Sequence, residues 1–253
     1  MTLSVPEMAS QDGVKFISGL LADNGVPSAL WGEFFLNVYG VPSILSGVDF
    51  VIPDDKIPVA VATLERSFLR PCPNPDACVV SRDSSPLPAP VFHMHVPGAE
   101  LDVSLRAHSE TLWNIPPPSI ALLQGGMKAE PSPYYLGASS PELPPHRLWR
   151  GHGAFSSEGP LVLVPRAHIL LEAYIRLGSA FRERYWPYFS HMVTYMSEYV
   201  NADGLIDINL LSTPCRTFWD DRKQRRFPMV QLVDNLQRDL GNEMAKASDA
   251  TLE

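Results

Sequence analysis

Two carboxylates stand on β-branched, apolar stretches of this chain, Asp49 in Val48-Asp49-Phe50-Val51-Ile52 and Asp102 in Leu101-Asp102-Val103-Ser104-Leu105. On adjacent strands such a pair could share a proton, orient a polar substrate or, with a third acid, hold a divalent cation. Glu33, following Gly32, could supply a further acid from a different direction. His93 and His95 alternate in a further apolar stretch, so both imidazoles face the same side of a strand. They read as an acid/base or hydrogen-bonding pair. They are also possible metal ligands, for which the spacing offers no obvious third partner.

The three cysteines, Cys72, Cys78 and Cys215, are an odd set, and Cys72-Pro73-Asn74-Pro75-Asp76-Ala77-Cys78 matches no common zinc spacing. They read as reduced thiols, and no metal is expected. Trp31, Phe34, Phe35, Tyr39, Phe92 and Trp113 fall near the acids in sequence; most should be core, while any lining a cavity would give an apolar pocket. Gly151-His152-Gly153 reads as a flexible turn, and the basic run Arg222–Arg226 as a solvated helix start. No phosphate loop, dinucleotide fingerprint or Gly-x-Ser-x-Gly occurs.

The elements that must position these groups follow from periodicity and breakers. Residues 11–24 carry Val14, Ile17, Leu20 and Leu21 at helical spacing and stop at Asn24-Gly25. Strands are expected at 28–31, 48–52, 77–81, 91–96 and 101–105, the last two joined by a Pro97–Glu100 hairpin, with helices at 33–38 and from Pro53-Asp54-Asp55 to about Phe68. Ten of the 25 prolines lie between Pro116 and Pro165, which suggests an irregular segment. Beyond it Ile169, Leu170, Ala173 and Leu177, then Tyr185, Phe189, Met192, Met196 and Tyr199, then Met229, Val233, Leu236 and Leu240 mark amphipathic helices. The expected class is α+β: a small mixed sheet flanked by helices over 1–115, a proline-rich segment over 116–160 and a helical part over 161–253.

A chain of 253 residues with 45% hydrophobic content can bury a large core. Its net charge of -8 argues against a broad nucleic-acid footprint and favours a small-molecule partner. No apolar run spans a bilayer and the first residues lack the pattern of a signal peptide, so a cytoplasmic protein without a membrane partner is expected, as monomer or homodimer.

The run Leu30-Trp31-Gly32-Glu33, the connection Tyr39-Gly40-Val41-Pro42, the stretch Val48–Ile52 and Asp102 together resemble the core of the nucleotidyltransferase superfamily over about residues 15–105. The similarity is to a divergent fungal group lacking part of the metal-binding carboxylate set. In that superfamily a glycine and a small residue precede a strand with two carboxylates one residue apart, and a third acid follows on a neighbouring strand. The resemblance makes Asp49 the second carboxylate and Asp102 the third. The first position is Gly47, and Glu33 replaces the small residue after Gly32. Both departures work against a magnesium-nucleotide site.

The resemblance therefore implies a repurposed scaffold that binds a small apolar metabolite, such as an accessory enzyme of secondary metabolism catalysing dehydration, isomerisation or cycloaddition, in the manner of a pericyclase. Its catalytic residues would be His93, His95, Asp49 and Asp102, its substrate-binding residues Trp31, Glu33, Tyr39, Phe92 and Trp113, and it would need no cofactor. The alternatives are an active Mg²⁺-dependent nucleotidyltransferase and a non-catalytic binding or regulatory protein.

Overall fold

The computed structural model describes residues 8–82, 85, 87–125 and 132–250, which divide into two compact units, 1–166 and 167–253. The first is built on one seven-stranded mixed sheet, as the α+β expectation requires. Its strands are β1 (Ala29–Trp31), β2 (Gly47–Ile52), β3 (Arg70–Pro71), β4 (Phe92–His95), β5 (Asp102–Ala107), β6 (Tyr135–Gly137) and β7 (Leu163–Pro165), in the order β3-β4-β5-β2-β1-β7-β6.

The centre of the sheet is the β2–β5 pair, parallel, with β1 antiparallel to β2 and β4 antiparallel to β5. Val48, Phe50, Val51 and Ile52 are fully buried, which is why β2 reads as an unbroken apolar run instead of an alternating one. Helix α1 (Gln11–Asp23) starts at Ser10, whose side chain accepts from the Asp12 backbone N–H. It packs against α3 (Ile57–Glu65), while α2 (Gly32–Val38) lies against β1 and β2. Phe34 and Phe35 of α2 are buried core.

Several expectations change. Residues 77–81 form turns, because the prolines at 73 and 75 and local bonds such as Cys78 N–H to the Asn74 carbonyl (3.0 Å) and Ser81 Oγ to the Pro75 carbonyl (2.7 Å) satisfy the chain internally. The proline-rich segment is no separate piece. It supplies β6, and β7 enters the sheet beside β1, so the first unit extends to Arg166. A short helix α4 (Ile120–Gly125) precedes β6. Gly151-His152-Gly153 is a tightly held turn: the Gly151 and Gly153 N–H groups donate to the Gly40 and Asn37 carbonyls, and a Cβ at Gly151 would lie 2.5 Å from the Asn37 and Val41 oxygens.

The second unit is helical: α5 (Ala167–Ala180), α6 (Arg182–Tyr195) continuing through a π-helical stretch to Asn201, α7 (Thr213–Lys223) and α8 (Met229–Ala250). A Cβ at Gly178 would stand 2.9 Å from the Trp186 ring, so the glycine lets α5 and α6 approach. Leu170, Tyr174, Phe189, Met196, Trp219 and Leu236 form its core. Glu172 accepts from Arg176 Nε and from the Ser212 backbone N–H, both at 2.8 Å, and Arg176 also donates to Glu243. The basic run lies at the C-terminal end of α7, where the helix dipole favours cations, instead of at a helix start.

Candidate functional site

The register of the sheet assembles the acids. Gly47 pairs with Asp102 and Asp49 with Ser104 across β2–β5, while His95 pairs with Asp102 and His93 with Ser104 across β4–β5. Paired residues project to the same side, so Asp49, Asp102, Ser104, Arg106, His93 and His95 share one face of the sheet. Trp31, opposite Asp49 on β1, joins that row.

Asp49 is not a free ligand. Arg106 Nε donates to its Oδ1 at 2.6 Å, the two side chains being only 15% and 16% exposed, and Arg106 Nη1 donates to the Pro88 carbonyl at 2.9 Å. Gly32 opens α2 with φ of 70°, and a Cβ there would meet Asp49 Oδ2 at 2.7 Å. Glycine at that turn is thus required both by the backbone conformation and by the carboxylate behind it.

Asp102 accepts from Ser104 Oγ at 2.6 Å. Burial is the main reason its carboxyl is pushed up to about 6; Asp49 and Glu33 push the same way, against the Ser104 hydroxyl and Arg106. A Cβ at Gly47 would lie 2.8 Å from both Asp102 oxygens. The missing carboxylate of the resemblance is therefore also a missing space. Glu33 turns toward the loop before β2, its Oε2 accepting from Ser46 N–H (3.2 Å) and Ser46 Oγ (2.9 Å).

The expected aromatic pocket is largely dissolved by burial. Trp31 and Tyr39 are core residues, 3% and 2% exposed, and the Tyr39 hydroxyl donates to the Pro165 carbonyl at 3.0 Å. Phe92 is half-buried and Trp113 is exposed. A cavity of about 580 Å³ lies elsewhere in this unit, at the β6–β7 end of the sheet, with Lys15, Tyr135, Glu142, Phe155, Leu161 and Arg166 among its walls. Its polar groups are engaged: Lys15 Nζ donates to Ser156 and to the Glu158 carbonyl, and Arg166 pairs with Glu142 at 2.8 Å. None of these residues stands out in the sequence.

The histidine pair acquires neighbours that spacing could not supply. Cys72 follows β3, which pairs with β4 through Arg70–His95 and Pro71–Met94, and the turns that follow bring Cys78 to the same place. One donor atom from each of Cys72, Cys78, His93 and His95 lies within 4.8 Å of all the others. The two imidazoles meet edge to face at 5.1 Å, and Cys78 Sγ is 3.7 Å from His95 Nε2. His93 Nε2 is buried with no hydrogen-bond partner among the described residues, and burial, then His95, holds its imidazole below its ordinary pKa.

The class these features define is an α+β protein with a mixed sheet whose polar face carries two acids, an arginine and a cysteine–histidine cluster. Comparison with known families, curated proteins and solved structures found no match.

Proposed function

We propose that this chain is a nucleotidyltransferase-like scaffold whose carboxylate cleft has been turned from magnesium-nucleotide chemistry to a small, largely apolar metabolite, acting as an accessory enzyme of secondary metabolism. The Asp49–Arg106 ion pair carries this reading. It places a fixed cation where metal-nucleotide transfer would need a free carboxylate, and Gly47 contributes no ligand beside it. What remains is Asp102, a carboxyl held by Ser104 that can exchange a proton near neutrality. Such a group can donate to a carbonyl or hydroxyl oxygen and so assist dehydration, isomerisation or a cycloaddition of a bound, oriented substrate.

A thermal-shift comparison tests this reading. The four ribonucleoside triphosphates, with and without Mg²⁺, are run beside a panel of alicyclic and aromatic carbonyl compounds, on the wild type and on Asp102→Asn. Shifts with carbonyl compounds that weaken in Asp102→Asn are expected. A Mg²⁺-dependent shift with a triphosphate that disappears in Asp49→Ala would overturn the proposal in favour of nucleotidyl transfer. Carbonyl compounds bound without turnover would instead indicate a binding protein.

A further inference from the structure

We propose that Cys72, Cys78, His93 and His95 form a closed tetrahedral site for a zinc ion, which clamps the turn segment after β3 onto β4. Two thiolates and two imidazoles are a donor set suited to zinc, and the two thiolate charges would neutralise the dication in a half-buried place. Tetrahedral zinc, with bonds of about 2.3 Å to sulfur and about 2.0–2.1 Å to nitrogen, needs its ligands about 3.3–3.8 Å apart. Donor atoms already within 4.8 Å of one another reach that spacing by small side-chain rotations.

Two observations beyond proximity point to a ligand. His93 Nε2 is buried and has no partner among the described residues, in a residue 6% exposed, so without a ligand it forfeits a hydrogen bond that water would have made. The backbone is also arranged to deliver all four groups. His93 and His95 alternate on β4, the β3–β4 pairing sets Cys72 beside them, and Pro73, Pro75 and the Cys78 N–H bond to the Asn74 carbonyl hold the turn that returns Cys78. Simple thiol–imidazole hydrogen bonding accounts for the Cys78–His95 approach but leaves His93 unsatisfied.

With four protein ligands the site has no open position, which makes it structural and not catalytic. Strand β3 has only two residues and lies at the sheet edge, and residues 72–82 that follow it form turns and bends. Zinc would supply the cross-link that hydrogen bonding there does not. Of the two roles the sequence offers the histidines, acid/base pair or metal ligands, this reading takes the second, with Cys72 and Cys78 as the partners that spacing did not show.

The test uses the full chain, purified under reducing conditions without a histidine tag and titrated with Zn²⁺ against a chromophoric chelator. One zinc per chain is expected, and Co²⁺ in its place should give the strong visible d–d bands and thiolate charge transfer of a tetrahedral site. Cys72→Ser and His95→Ala should each weaken zinc by more than about 100-fold, whereas Cys215→Ser, in the helical unit, should leave it unchanged. Because ligand loss could also unfold the segment, His95→Cys is included: it should keep one metal ion while shifting the Co²⁺ spectrum toward a three-thiolate site.

Failure of the reduced wild type to take up zinc, metal uptake indifferent to Cys72→Ser, or a Cys72–Cys78 disulfide in the freshly purified protein would overturn the proposal. Metal stoichiometry reads this site without reference to the carbonyl-compound panel, so either proposal can fail alone.

Discussion

Asp102 has a carboxyl whose pKa is raised from 3.8 to about 6 in the folded chain, so between those values the folded state holds more protons than the unfolded one. Stability attributable to this group therefore falls as the pH rises through that window; the deficit is complete above it and absent below it. Asp102→Asn removes the deficit while still accepting from Ser104 Oγ. The variant should gain about 2–3 kcal/mol over the wild type near pH 7 and almost nothing near pH 3, read from denaturant melts at the two values. An equal difference at both would show that burial does not perturb Asp102. Arg106 poses the opposite case. Arg106→Ala leaves Asp49 without its counter-ion and frees the Pro88 carbonyl, a loss of about 2–4 kcal/mol after allowance for partial exposure. Arg106→Leu combined with Asp49→Leu should recover most of it, and additive losses in that double-mutant cycle would argue against coupling.

At the scale of elements, the β2–β5 register decides what the acid-bearing face of the sheet can accommodate. Adding a second carboxylate to β2 by Gly47→Asp should not be tolerated, since its Cβ would meet both Asp102 oxygens at 2.8 Å and its charge would be added beside Asp102 and Asp49. The expected result is a lower melting temperature and no magnesium-dependent nucleotide shift; a stable variant that gains that shift would refute this account of β2. In the helical unit, Glu172 links α5 to the backbone N–H of Ser212, the N-cap residue of α7. Arg176→Ala strands this buried carboxylate and should cost about 3–5 kcal/mol, whereas Arg176→Lys should cost less, both measured by urea unfolding.

Over the whole molecule, no helix among the described residues is long and apolar enough to cross a membrane. The formal net charge of -8 leads us to expect no retention of the chain on DNA or heparin at low salt, and salt-sensitive retention on either would contradict it. Each unit buries its own core, the sheet around Phe50 and Val103, the helices around Tyr174 and Trp219. Residues 167–253 expressed alone should therefore melt cooperatively by circular dichroism, and a gradual loss of helical signal would show that this core is insufficient.

What was legible in the sequence was periodic or local. The apolar stretches at Val48–Ile52 and Leu101–Leu105, the alternation of His93 and His95, the helix stop at Asn24-Gly25 and the α5, α6 and α8 stripes all follow from side-chain spacing against a strand or helix repeat. That both acids stand on strands needed nothing more. The rest depended on partners distant in the chain. β6 and β7 are three residues each and persist because they pair with one another and β7 with β1, a gain invisible to any local window. Trp31 and Tyr39 carry the residue types of a pocket and lost that role to burial, while Asp49 was claimed by an arginine 57 positions away. The cysteine–histidine cluster arises the same way: Cys72-x₅-Cys78 and His93-x-His95 say little separately, and it is the antiparallel β3–β4 pairing and the turn after it that make them one site.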